Sequence, residues 1–307
     1  MSAVALFRRV AVLTAIFAYL QIALGGVVRV SGSGLGCPDW PLCHGRPYPP
    51  ADLHAIIEYS HRTVGVVTGV LIIATVVGAW LVFRTRRPIV AWLASASLVA
   101  IAAEGALGGR VVVQELAPLL VTIHLGLALI IIGSLIATAV MSMPPSPGVA
   151  DARFRRLAQW SLGGTYALLV TGSVVVATRA DEGCHSWPLC GGGLVPDASG
   201  VNLFTMVHRG AALVIGALIV YFLVVAIRRW SSVRGMRTAA VATLIAFALQ
   251  VAVGAASAIT STPLANGLHV ALATLVWSGM LSTTLLTLPR ADRAPRSARL
   301  QVERRPV

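Results

Sequence analysis

Seven histidines are spread along the chain, and four of them, His61, His124, His208 and His269, each stand within the first few residues of an apolar run. An imidazole is costly in hydrocarbon unless it is bonded, so a histidine at the mouth of such a run marks a site to be explained. Four unrelated interfacial histidines are one explanation. Their recurrence on every second run, at one depth, favours a shared purpose. Two imidazoles brought together from facing helices suit axial ligation of a haem iron. Zinc competes for the same side chains, but it takes four protein ligands, or three with a water, and two histidines per site fit it less well. Two haem positions is therefore the expected count.

Other chemistry-bearing residues gather around these four. Glu58 precedes His61 by one helical turn on the same face, whereas the matching residue before His208 is Thr205. A carboxylate there can act as a general base or hold a water, its acidity tuned by burial; the plainer alternative is a surface glutamate at a loop–helix boundary. Arg62 and Arg209 directly follow two of the histidines. They have two readings of equal weight: charge-assisted bonds to haem propionates, or snorkelling to the interface. Cys37, Cys43, Cys184 and Cys190 form two C-x5-C pairs. In an oxidising compartment the first reading is two local disulfides, Cys37–Cys43 and Cys184–Cys190. A reducible relay, or a metal site recruiting the neighbouring His44 and His185, stays open. Glu104 sits inside the third run, about four residues from its outer end, and its equivalent in the second half is Gln250. A backbone hydrogen bond and an arginine pair are both open to it.

What must position these residues is a set of membrane-spanning helices. The 307 residues are 57% hydrophobic and 11% charged, with mean hydropathy +0.83, a balance that no aqueous domain could bury. Apolar runs near 10–28, 62–83, 89–109, 119–141, 157–178, 203–227, 238–260 and 267–288 are long enough to cross a hydrocarbon core of roughly 30 Å. The net charge of +13 comes from 24 basic residues, all arginine. Eighteen of them lie at Arg8 and Arg9, in the second, fourth and sixth connections, and in the tail from Arg290 to Arg305. That placement is the positive-inside asymmetry of membrane insertion, not a nucleic-acid surface, and it puts both termini in the cytoplasm and the histidines at the outer face. The first run is followed by no small-residue cleavage site and reads as a retained helix.

The connections repeat as well. Gly-Cys-Pro-Asp-Trp-Pro-Leu-Cys at 36–43 recurs as Gly-Cys-His-Ser-Trp-Pro-Leu-Cys at 183–190. The register then carries His61-Arg62 onto His208-Arg209 and His124 onto His269. Odd runs rhyme through Gln21-x-x-x-Gly25, Glu104-x-x-x-Gly108 and Gln250-x-x-x-Gly254, and their small residues allow close helix approach. The expected fold is all-α: eight transmembrane helices in two tandem four-helix bundles, related by a pseudo-two-fold axis along the membrane normal. Residues 1–145 form the first half and 146–289 the second. Residues 290–307 are expected to be a disordered tail attracted to anionic headgroups.

With 25–43, Glu58-Tyr59-Ser60-His61-Arg62, His124, His208-Arg209 and His269 in place, the chain resembles the haem A synthase family across all eight runs. The resemblance implies conversion of haem O to haem A by oxidising the porphyrin C8 methyl to a formyl group. It implies haem O held by His61 and His124 and a haem b cofactor held by His208 and His269. Glu58 would assist at the reacting edge, haem O synthase would supply the substrate, and an unidentified partner would exchange electrons. Glu104 departs from the glutamine common in that family. The alternative is a di-haem membrane electron carrier or haem-delivery protein without catalysis. A transporter fits less well, because the polar residues cluster at one surface and not at midplane.

Overall fold

The computed structural model describes residues 2–292 apart from 194 and 196. Among the described residues eight α-helices follow one another: α1 (Ala3–Val30), α2 (Leu53–Phe83), α3 (Pro88–Val113), α4 (Pro118–Met141), α5 (Ala152–Ala177), α6 (Asn202–Arg229), α7 (Met236–Thr260) and α8 (Pro263–Leu286). All eight are long and apolar enough to cross a membrane, which makes this a multi-pass membrane protein. At 1.5 Å per residue they run about 36–46 Å, beyond the hydrocarbon core at one or both ends.

Local chemistry sets the starts. Asp52 accepts from the Ala55 amide at 3.0 Å and Asp151 from that of Arg153 at 2.8 Å, while Ser2 and Thr262 cap α1 and α8 in the same way. Pro88, Pro118 and Pro263 occupy first helical positions, where a missing N–H costs nothing. One short element escapes a hydropathy reading, a 3₁₀ turn at Ala180–Gly183 ahead of α6.

Packing closes two rings. In the first, α1 meets α2, α2 meets α3, α3 meets α4 and α4 returns to α1; in the second, α5 to α8 close likewise. Helices α2 and α4 are thus diagonal in one ring, α6 and α8 in the other. The rings join where α8 packs on α1 and α4, and α5 on α4. Gly26 allows this approach, since a Cβ there would stand 3.0 Å from a Val270 methyl. Trp277 donates to the Leu129 carbonyl at 2.9 Å and Tyr166 to that of Gly126 at 3.2 Å, so two aromatic donors of the second half bond α4 directly. The main core, with Ile22, Leu129, Leu135, Phe222, Met236 and Met280, is continuous across the boundary. The two halves therefore share a continuous core. Large apolar side chains such as Leu81, Val99 and Leu213 face outward toward lipid.

The start of the supposed tail needs correction. Arg290 exchanges backbone hydrogen bonds with Ser146, at 2.8 and 2.9 Å, and Asp292 accepts from Arg87 at 2.7 Å. Residues 290–292 are therefore tied to the connection between the halves, because buried polar backbone finds its partners there. The remaining tail expectation lies outside the described residues.

Candidate functional site

The even helices begin before their apolar runs do, so the histidines lie deeper than the first few residues. His61 comes eight residues after Leu53, and His124, His208 and His269 each come six residues after their helix start. That places them about 9–12 Å along the axis. For α2 the reason is its polar first turns, 53–61, which Asp52 caps into helix.

Each ring is seated on a glycine of the preceding odd helix. A Cβ built on Gly25, Gly108, Gly172 or Gly254 would stand 3.1, 3.2, 3.0 or 2.7 Å from Cε1 of His61, His124, His208 or His269 respectively. Any larger residue would push the imidazole out. One turn before three of these glycines stands the polar residue that the sequence rhyme marked. The Gln21 and Gln250 amide nitrogens reach Nε2 of His61 and His269, each at 3.3 Å, and Glu104 Oε1 approaches Nδ1 of His124 at 3.2 Å. The fourth position is Leu168, and Thr171 replaces its function. Thr171 Oγ1 donates to the Leu168 carbonyl at 2.7 Å and so must accept from Nδ1–H of His208 at 2.9 Å, leaving Nε2 with a free lone pair. Thr171 carries no sequence signal, since the other odd helices lack a counterpart.

These rings fit a metal-bearing group. Nδ1 of His61, His124 and His269 is buried without a hydrogen-bond partner among the described residues, a state that demands an explanation. His61 and His124 stand on the diagonal helices α2 and α4 of one ring, and His208 and His269 on α6 and α8 of the other. Among the described residues no three His, Cys, Asp or Glu side chains gather as a metal-ion site. The ligand capacity therefore comes in twos, as a planar macrocycle with two axial positions requires.

Above His61 the first cysteine loop is fastened to α2. Glu58, 3% exposed, accepts from the Cys37 amide at 2.9 Å through Oε2 and from Arg62 through Oε1. Arg62 also donates to the carbonyls of Cys37 (2.9 Å), Asp39 (2.8 Å) and Leu42 (2.7 Å). Arg209 does the equivalent in the second half, donating to Ser186 at 2.7 Å and Pro188 at 3.1 Å, while Thr205 donates to Ala180 at 3.0 Å. Both guanidinium groups thus bind loop carbonyls, a use that neither propionate contact nor snorkelling anticipates. Cysteines Cys37–Cys43 and Cys184–Cys190 are disulfide-bonded, so the thiolates of a metal site are spoken for. His44 bonds the Gly36 carbonyl and His185 the Ser261 hydroxyl. Asp39 accepts from the Gly45 and His44 amides, and these bonds, Gly45's first, hold its carboxyl below the usual range. Trp40 lies over Gly109 of α3, where a Cβ would stand 2.8 Å from the indole. Glu104 is nine residues from the end of α3, deeper than expected, because that helix continues to Val113.

The model of the cytochrome oxidase assembly protein family COX15-CtaA matches residues 8–281. The chain belongs to that family. Among curated relatives, a Heme A synthase of Bacillus licheniformis is 30% identical over 90% of this chain and 94% of its own length. One from Symbiobacterium thermophilum is 30% identical over 88% and 92%, and one from Alkalihalophilus pseudofirmus 27% over 90% and 95%. The match spans all or most of every helix, so the four glycine-seated histidines of this family member all fall inside it.

Proposed function

We propose that this protein is a haem A synthase, a membrane-bound oxidoreductase that takes the C8 methyl of haem O to a formyl group in two successive two-electron oxidations. The observation that carries the reading is the set of four buried imidazoles, each seated on a glycine and two to each ring of helices. His61 and His124 receive the substrate haem O in the first half. His208 and His269 hold haem b in the second, with Thr171 already directing Nε2 of His208 outward from its own helix bond. Haem b, when bound, supplies a one-electron redox centre.

Glu58 distinguishes the halves. Its carboxylate stands one turn from His61, whereas Thr205 offers only a hydroxyl donated to a carbonyl. Each carboxylate oxygen accepts one bond from Arg62 or Cys37 and keeps a second lone pair, so Glu58 can still take a proton from the reacting edge or orient a water. Arg62 fixes that carboxylate together with the first cysteine loop. The arginine bias supports cytoplasmic termini in a cell membrane with both haem sites at the outer face. The substrate would come from haem O synthase, dissolved in the membrane, and electrons would leave to a separate partner. Expression with haem O synthase, followed by analysis of extracted haems, tests the proposal. Haem A is the expected product, and recovery of haem O and haem b alone would leave a di-haem carrier as the reading.

A further inference from the structure

Glu104 has no part in the mechanism above, yet it is buried in α3 at 8% exposure and touches one of the four histidines. Its Oε1 lies 3.2 Å from Nδ1 of His124, and its Oε2 has no hydrogen-bond partner among the described residues. The two groups are at bonding distance, while Nδ1 of His124 has no other partner among the described residues. At the matching place in α7 stands Gln250, and in α1 Gln21, both neutral amides set against Nε2 of their histidines. Of the four rings, only that of His124 has a carboxylate in contact among the described residues.

We propose that Glu104 is a positioning residue for the substrate site: it accepts the Nδ1–H of His124, leaves Nε2 as the coordinating atom, and lowers the reduction potential of the first-half haem. This rests on the reading of His124 as an iron ligand. A carboxylate oxygen that accepts from Nδ1–H leaves the opposite ring nitrogen unprotonated and free for the iron. A carboxylate acceptor pulls that proton away from the ring and makes the opposite nitrogen a stronger donor, which favours ferric over ferrous iron. The amide nitrogens of Gln21 and Gln250 face Nε2 of their own histidines and can only donate, so they exert no such pull. The low dielectric around α3 sharpens the contrast. The two haems, carried by duplicated frames, are thereby set at different potentials by one residue.

Spectroelectrochemical titration of the purified holoprotein tests this, with the second-half couple assigned by its loss in His208→Ala. In Glu104→Gln the first-half ferric-to-ferrous ratio at fixed potential should fall at least about tenfold, about 59 mV for a one-electron couple. The second-half couple should not move, and the low-spin ferric resonance of the first-half haem should shift. Glu104→Ala, which also removes the carboxylate, should raise the first-half couple likewise, which keeps the idea testable if the first variant fails to assemble. Unchanged potentials and resonances in these variants would overturn the inference while leaving the haem assignment intact. First-half haem retained in His124→Ala would overturn both.

Discussion

Glu58 serves two purposes that a well-chosen substitution separates. It accepts the Cys37 amide and pairs with Arg62, and it stands one turn from His61. Glu58→Gln keeps an oxygen for the Cys37 amide but removes the base, so haem A formation should drop by about 10² or more while second-half haem b stays bound. Glu58→Ala should lose product and also loosen the loop, visible as faster amide exchange around Cys37. Haem b lost in both variants would mean that the halves are assigned the wrong way round. The glycine seats offer a second residue-scale test. A methyl on Gly254 meets His269 Cε1 at 2.7 Å, whereas Gly163 has open space. Gly254→Ala should cost about 1–3 kcal/mol of overpacking and deplete second-half haem in a pyridine haemochrome assay; Gly163→Ala should do neither.

At the scale of elements, the even helices do more than present histidines. One residue after His61 and His208, an arginine turns back to gather the carbonyls of its cysteine loop, so loop and helix move as a unit. Each disulfide closes a loop already gripped at its base. Arg209→Met should keep the aliphatic stem but release Ser186 and Pro188. Protease cleavage within 184–193 is expected to quicken, with the Cys184–Cys190 bond more readily reduced and helix content by circular dichroism unchanged. Equal cleavage rates would show that the disulfide alone holds this loop.

At the scale of the molecule, the two rings are not independent bundles side by side. The core continues from α1 and α4 into α5 and α8, and Trp277 and Tyr166 bond the backbone of the helix that carries His124. At the opposite end, Arg87 donates to the carbonyls of Met141 and Met143 and to Asp292, fastening α3, the connection between halves and residues 290–292 together. A packed interface of this kind holds the histidine pairs of the two rings at a fixed separation.

The sequence by itself determined the eight helices, the histidine on every even one, the two cysteine pairs and the duplicated loop. Hydropathy over about 20 residues and an eight-residue repeat are local signals that need no partner to be read. It also marked Gln21, Glu104 and Gln250 with their following glycines, but only as a rhyme. That each glycine is the bed of a particular imidazole depends on which helices become neighbours, and spacing along one chain cannot specify contact across two. The same limit hid Thr171, the shared core, the loop grip of Arg62 and Arg209, and the anchoring of Arg290. Every one of these is a pairing between segments distant in sequence, decided when the rings closed and buried polar groups had to find partners.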